Sequence, residues 1–151
     1  MLSLGMDIGT STVKLVLLRD GAMAKQWMAV HHGRPFACLK KGLSALELDA
    51  DTPFSLCVTG SNTEALLEQA PDIPSFGDIP AIVEGVRQIV PQAGSVIEIG
   101  SQGARFITDL QSRAPQFAVN EHCAGGTGSF FEDQMLSLIH ISEPTRHLRL
   151  S

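Results

Sequence analysis

The sequence predicts an α/β protein with two related lobes. Apolar and β-branched segments of strand length alternate with segments whose apolar residues have helical spacing. A strand–glycine turn–strand unit occurs twice, at residues 2–18 and 95–109. In both units an acid, an isoleucine, a glycine and a hydroxyl residue follow one another, as Asp7-Ile8-Gly9-Thr10 and as Glu98-Ile99-Gly100-Ser101. This repeated pattern favours two lobes of similar construction.

The first lobe is expected at residues 1–92 and begins with an antiparallel meander. Residues 2–8, 12–18 and 22–30 have strand composition, and Arg19-Asp20-Gly21 is a hairpin turn signal between the last two.

The rest of this lobe is expected to add a helix, a strand and two further helices. Residues 36–47 fit a helix loosely, and residues 54–58 fit a strand that buries Cys57. Ser61 or Asn62 is expected to cap a helix that runs to about Gln69. Apolar residues at helical spacing predict the last helix at 79–89.

The second lobe is expected to start at residue 93 and to continue to residue 136. It should contain a buried strand at 95–100, a hairpin partner at 104–110 and a short strand at 116–119. A helix should begin near Gly126 and end near Met135. Residues 137–151 change in character and resemble translated sequencing-adaptor read-through, with an ordinary tail as the alternative, so we expect a non-native end on the N-terminal part of a longer protein.

The composition excludes several classes of function. The net charge of −5 leaves no basic face for nucleic acid. The chain has no apolar run of about 18 residues, the length that a membrane helix needs. It also lacks the positive segment of a secretory signal, so we expect a cytoplasmic protein. The three cysteines are too few and too widely spaced to predict a disulfide framework.

The first glycine turn is a candidate phosphate site. Gly9 permits close approach of backbone N–H donors, and the hydroxyls of Thr10, Ser11 and Thr12 add further donors. Asp7 at the strand end could hold Mg²⁺, which binds few carboxylates together with phosphate oxygens. Lys14 either reaches a phosphate or is an exposed strand residue.

The second turn strengthens the phosphate interpretation. Glu98, Gly100, Ser101 and Gln102 follow the second buried strand. Two opposed loops of this kind could hold the β- and γ-phosphates of a nucleotide between two lobes, whereas one such turn alone is weak support.

A third motif places a cysteine before a glycine-rich helix start. Cys123 precedes Gly125, Gly126, Thr127 and Gly128. A helix N-terminus lowers a thiol pKa, so this thiolate could be a nucleophile or a metal ligand. An iron–sulfur cluster needs several thiolates, and a cluster shared across a two-fold axis would supply them from two chains.

These motifs resemble those of the 2-hydroxyacyl-CoA dehydratase activator and benzoyl-CoA reductase ATPase-subunit family. Residues 7–14 resemble its first loop, residues 98–105 its second, and the segment around Cys123 its Asn-Asp-x-Cys-Ala-Ala-Gly-Thr-Gly motif. The resemblance covers residues 1 to about 136. It implies the N-terminal part of a ribonuclease H-like actin/sugar-kinase/Hsp70 ATPase fold.

The resemblance also implies what such a protein does. ATP hydrolysis with Mg²⁺ drives an electron from a [4Fe-4S] cluster, shared across a homodimer, to a CoA-ester dehydratase or reductase. Cys123 matches the first cluster ligand, and no residue of this chain matches the second. Asp7, Glu98 and Gln102 match catalytic positions, with Gln102 orienting the attacking water. Gly103 and Arg105 stand where the family's second loop has Asp and Lys.

Two alternatives remain open. A small-molecule kinase of the same superfamily would share the phosphate loops and need no cluster, although the Cys123 motif argues against it. An inactive nucleotide-binding fragment is the non-enzymatic alternative.

Overall fold

The computed structural model describes residues 1–49, 51–100 and 103–120. The chain divides into two compact units, Met1–Ala93 and Gly94–Ser151. The assignment of lobes to residues 1–92 and 93–136 stays a prediction, and the predicted helix at 126–135 and the tail at 137–151 lie outside the described residues.

The first unit is a mixed sheet with three helices. Its elements in chain order are β1 (Leu2–Ile8), β2 (Thr12–Arg19), β3 (Ala22–Val30), α1 (Pro35–Ala45), β4 (Phe54–Thr59), α2 (Glu64–Gln69) and α3 (Asp78–Ile89). The strand order is β3-β2-β1-β4, with β1 antiparallel to β2, β2 antiparallel to β3 and β1 parallel to β4. The predicted meander is confirmed.

Alternating apolar side chains build the core of this unit. Leu4, Met6 and Ile8 of β1 lie opposite Leu17, Leu15 and Val13 of β2, and all six are buried. Residues opposite one another in an antiparallel pair share a face, so the register collects these side chains on one side of the sheet. Cys38 and Leu39 of α1 join the same buried cluster, as does Val58 of β4.

Two glycines in this unit have specific roles. Asp20 and Gly21 have φ of 52° and 81°, and consecutive positive values match the tight hairpin turn that the sequence predicts. Gly42 of α1 faces the sheet, where a Cβ atom would stand 2.5 Å from Trp27 Cε3 and 2.6 Å from Leu15 Cδ1. The missing side chain therefore lets the helix approach the sheet closely.

The second unit contains an antiparallel sheet. Its strands are β5 (Ser95–Gly100), β6 (Gly103–Thr108) and β7 (Gln116–Asn120), in the order β5-β6-β7. Ile107 and Leu110 are fully buried. Residues 95–100 form the predicted strand, but among the described residues the predicted burial of its side chains is wrong. Ile97 and Ile99 are 65% and 44% exposed, because no described residue covers that face.

Two local predictions also need correction. The N-cap of α2 is Thr63, whereas Ser61 and Asn62 bond to another loop. Cys57 is half-buried rather than buried, and that burial raises the pKa of its thiol. Among the described helices, none has the length and apolar character needed to cross a membrane.

Candidate phosphate-binding turn

The candidate site is the turn between β1 and β2. The hairpin pairs Ile8 with Val13, and the Gly9 amide donates to the Thr12 carbonyl at 3.0 Å. This bond folds residues 9–12 into a tight loop at the end of β1. Asp7 lies one residue before Ile8, at the same end of the strand.

A second glycine turn lies against the first. Because β4 runs parallel to β1, with Thr59 beside Asp7, the chain leaves both strands at the same edge of the sheet. Gly60 follows with φ of +105°, a conformation that L side chains rarely adopt. A Cβ atom there would stand 2.5 Å from the Ile8 carbonyl group. Glycine therefore allows the two turns to touch.

Asn62 and Ser61 join the two turns by hydrogen bonds. The Asn62 backbone amide donates to the Ile8 carbonyl at 2.9 Å, and its side-chain amide donates to the Gly9 carbonyl at 2.6 Å. The Ser61 and Thr10 hydroxyl oxygens are 2.9 Å apart. The turn after β4 thus holds one side of the candidate loop in place through these hydrogen bonds.

His31 holds the other side of the loop. It follows β3 directly, and its backbone amide donates to the Ser11 carbonyl at 3.0 Å. Its ring is buried, with Nε2 3.2 Å from the Gly9 carbonyl oxygen and Nδ1 accepting from the Gly33 amide at 3.1 Å. Because Nδ1 accepts the hydrogen bond from Gly33, this network assigns the ring hydrogen to Nε2.

These bonds leave a specific set of donors in the loop. The carbonyl oxygens of Ile8, Gly9, Ser11 and Thr12 all accept hydrogen bonds from the protein. Within the described ranges, the amides of Thr10 and Ser11 donate to no protein acceptor. A loop with adjacent N–H groups available and most of its carbonyl groups bonded to the protein has the arrangement that binds anions.

The Asp7 carboxylate lies beside this loop and is already paired. Lys14 lies directly opposite Asp7 in the hairpin, and its Nζ is 2.8 Å from Asp7 Oδ2. The two side chains are 49% and 31% exposed, for Lys14 and Asp7 respectively, so both remain accessible to a ligand. Lys14 thus forms an ion pair with the carboxylate that the sequence predicts to hold Mg²⁺.

The second hairpin repeats this charge arrangement. Arg105 lies directly opposite Glu98, and its Nη1 is 3.0 Å from Glu98 Oε2. The Glu98 carboxylate lies against Gly100, since a Cβ atom on Gly100 would stand 2.6 Å from Glu98 Oε1. Two of the other predicted residues, Ser101 and Gln102, lie outside the described residues, as do Cys123 and the glycine-rich segment at 125–128.

The described residues offer a carboxylate for a hydrated cation but no complete metal site. No group of three or more His, Cys, Asp or Glu side chains in the described part of the chain could hold a metal ion. Mg²⁺ commonly takes one or two carboxylates and completes its shell with phosphate oxygens and water. Asp7, which lies beside the loop at residues 9–12, fits that requirement.

The sequence patterns did not identify four residues of this site: His31, Gly60, Ser61 and Asn62. One signal was available for the last three. Val58-Thr59-Gly60-Ser61 repeats the succession of a strand, a glycine and a hydroxyl residue that marked the other two turns. His31 has no comparable local signal, because its partner Gly9 is 22 residues away.

Comparisons with known proteins give the chain's relatives. No protein-family model matches it. It is 31% identical over 137 residues to the activator of lactoyl-CoA dehydratase of Anaerotignum propionicum, covering 87% of this chain and 52% of that protein. It is 27% identical over 143 residues to the (R)-2-hydroxyglutaryl-CoA dehydratase activating ATPase of Acidaminococcus fermentans, covering 92% of this chain and 54% of that protein.

A solved structure gives the same result. The activator of the 2-hydroxyisocaproyl-CoA dehydratase from Clostridium difficile, with bound ADPNP, matches with a TM-score of 0.70 and 27% identity, covering 93% of this chain and 53% of that one. The predicted resemblance to the activator family and the predicted actin-like ATPase fold are both confirmed. The chain spans about half the length of the curated relatives it matches.

Proposed function

We propose that this chain contains the phosphate-binding turn of an ATP-dependent activator of a CoA-ester dehydratase or reductase. The observation that carries the proposal is the loop at residues 9–12. The carbonyl groups of Gly9, Ser11 and Thr12 are bonded to the protein, the Thr10 and Ser11 amides have no acceptor among the described residues, and Asp7 lies beside the loop. The names of the relatives supply the class of activity.

Each residue of the loop has a defined task in this proposal. The Thr10 and Ser11 amides donate to phosphate oxygens, and the nearby hydroxyls extend the set of donors. Asp7 holds the Mg²⁺ that accompanies the nucleotide. Lys14 is within reach of the same phosphate oxygens and Mg²⁺, because its ammonium group forms an ion pair with Asp7.

The ATPase reaction needs a positioned water as well as bound phosphates. We assign Glu98 and Gln102 to that task, with Gly100 and Ser101 contributing to phosphate binding. A positioned glutamine side chain can orient an attacking water, and a phosphoryl transfer enzyme acts mainly by positioning and charge stabilisation. The Glu98–Arg105 ion pair holds the carboxylate near the end of β5.

The proposal extends to electron transfer in the whole protein. Cys123, which precedes the glycine-rich segment at 125–128, is assigned as a ligand of a [4Fe-4S] cluster shared by two subunits. The helix that the sequence predicts after it would lower the thiol pKa and so favour the thiolate that ligates such a cluster. ATP hydrolysis would then drive the electron towards the dehydratase or reductase partner.

Nucleotide binding is tested by calorimetric titration with Mg²⁺ and a non-hydrolysable ATP analogue. The wild-type chain should bind saturably, and Asp7→Asn should remove the Mg²⁺ dependence of binding. Glu47→Gln is the matched control, because Glu47 also pairs with a lysine at 3.0 Å and lies after α1. Equal affinity of the wild-type and Asp7→Asn proteins at every Mg²⁺ concentration would contradict the assignment.

The cluster is tested separately on the full-length protein. After anaerobic reconstitution, the wild-type protein and the Cys57→Ser control should show the broad visible absorbance of an iron–sulfur cluster, and Cys123→Ser should not. Survival of that absorbance in Cys123→Ser would refute the ligand assignment. Labelled ATP then separates the activator from a kinase, since an activator releases inorganic phosphate and a kinase labels an acceptor.

A further inference from the structure

We propose that His31 is a positioning residue that directs the Thr10 amide towards a bound phosphate oxygen. The proposal rests on the proposed function for the identity of the ligand. The geometry that supports it lies entirely within the first unit and involves His31, Gly9, Gly33 and Asn62.

The link between His31 and the ligand is one peptide plane. The Gly9 carbonyl and the Thr10 N–H belong to the same planar, trans peptide group, so they point in opposite directions. Nε2 of His31 and Nδ2 of Asn62 both lie on the Gly9 oxygen, at 3.2 and 2.6 Å. Holding that oxygen from the protein side therefore fixes the direction of the Thr10 N–H.

The neighbouring Ile8–Gly9 peptide is bonded to protein partners through both of its polar groups. The Ile8 carbonyl accepts from Asn62, and the Gly9 amide of the same peptide donates to Thr12. The Thr10 amide differs because, among the described residues, it has no protein acceptor. The peptide that His31 holds is thus one whose N–H is available to a ligand.

The ring is itself held in the orientation that this task needs. His31 is only 8% exposed, and the Gly33 amide donates to its Nδ1. Gly33 has φ of 77° and His32 has φ of 47°, and the Arg34 amide donates to the His31 carbonyl. This turn places a donor at Nδ1, and so leaves the hydrogen on Nε2, facing Gly9.

Two amide substitutions separate the two bonds of the ring. His31→Gln keeps an amide donor near the position of Nε2, whereas His31→Asn keeps an amide near the position of Nδ1. If His31 acts through Gly9, His31→Gln should keep the wild-type affinity for the ATP analogue within about twofold, and His31→Asn should weaken it roughly tenfold, the effect of one net hydrogen bond. His32→Gln and His32→Asn are the matched controls, since His32 is the adjacent exposed histidine, and both should bind as wild type.

A second readout needs no nucleotide. In amide NMR spectra of the unliganded full chain, His31→Asn should shift the Thr10 resonance and leave that of Gly33 nearly unchanged, and His31→Gln should do the reverse. A purely stabilising role would instead weaken binding in both variants in proportion to their loss of unfolding free energy. That proportional result, or wild-type affinity in His31→Asn, would overturn the proposal.

The wild-type protein provides a further check that does not depend on any variant folding. A long-range ¹H–¹⁵N spectrum of the histidine rings should show the Nε2–H tautomer for His31, and the Nδ1–H tautomer would refute the proposal. If the wild-type protein binds no ATP analogue, the proposed function fails. The tautomer and the Thr10 resonance still decide whether His31 orients the loop.

Discussion

Gly60→Ala should be among the most damaging single changes in the first unit. The added Cβ atom would stand 2.5 Å from both the carbon and the oxygen of the Ile8 carbonyl and 2.6 Å from Asp7 Oδ1. The φ of +105° adds backbone strain of about 1–3 kcal/mol, and the overpacked contact adds about 1–3 kcal/mol more. The Ile8 contact is with the backbone of a central strand, so it cannot be relieved by a side-chain rotation. We therefore expect a loss of about 4 kcal/mol in unfolding free energy.

Urea unfolding followed by tryptophan fluorescence measures this loss, because Trp27 is the single tryptophan of the chain and lies in the same unit. Gly85→Ala is the matched control. Gly85 lies inside α3 with open space around its missing side chain, so alanine there should stabilise the unit by about 0.5–1 kcal/mol. If Gly60→Ala unfolded within about 1 kcal/mol of the wild type, the argument from close contact would be wrong.

Three further outcomes are expected. Gly42→Ala should destabilise the first unit by about 1–3 kcal/mol and shift the Trp27 emission, because the added Cβ atom would overlap Trp27 Cε3 and Leu15 Cδ1. Urea unfolding measures the destabilisation, and fluorescence spectra measure the emission shift. A double-mutant cycle on Glu98→Gln and Arg105→Gln should give a coupling of about 1 kcal/mol in urea unfolding, since the pair is only part-buried, and a coupling near zero would mean that the ion pair has no stabilising effect. Burial raises the pKa of the Cys57 thiol, so the folded protein has less Cys57 thiolate at a given pH. In a Cys38→Ser/Cys123→Ser background, the rate of Cys57 alkylation is measured against pH. It should reach half its maximum at a higher pH in the folded than in the urea-unfolded protein.

The strands were predictable because their signals are local. Alternating or β-branched apolar residues bounded by glycine turns predicted β1, β2, β3 and β4, and their bounds differ from the prediction by a residue or less. The Asp20-Gly21 turn was predictable for the same reason, since the positive φ values that it needs favour these residue types.

The residues that hydrogen-bond to the candidate loop could not be predicted from local patterns. Asn62 was expected to cap a helix, which is the usual role of an asparagine at a helix start. Its side chain instead bonds to Gly9, 53 residues earlier in the chain. Which of these two roles prevails depends on the parallel pairing of β1 and β4, and no local pattern encodes that pairing.

The exposed face of β5 has a similar explanation. A run of apolar residues predicts burial only if another layer of the protein covers both faces of the strand. Ile97 and Ile99 lie on a face that the described residues leave uncovered, while Ile107 on the neighbouring strand is fully buried. The pattern thus predicted the strand correctly but not the exposure of its side chains.

The two hairpins have a common register rather than a common sequence. In each, the acid and the base are seven residues apart and directly opposite, as Asp7 with Lys14 and Glu98 with Arg105. Opposite residues share a face of the sheet, so turn length alone brings the charges together. One residue more in either turn would move the base to the other face and leave the carboxylate unpaired. The spacing of seven residues between acid and base therefore determines whether the two charges pair, and it is the same in both hairpins although Asp is replaced by Glu and Lys by Arg.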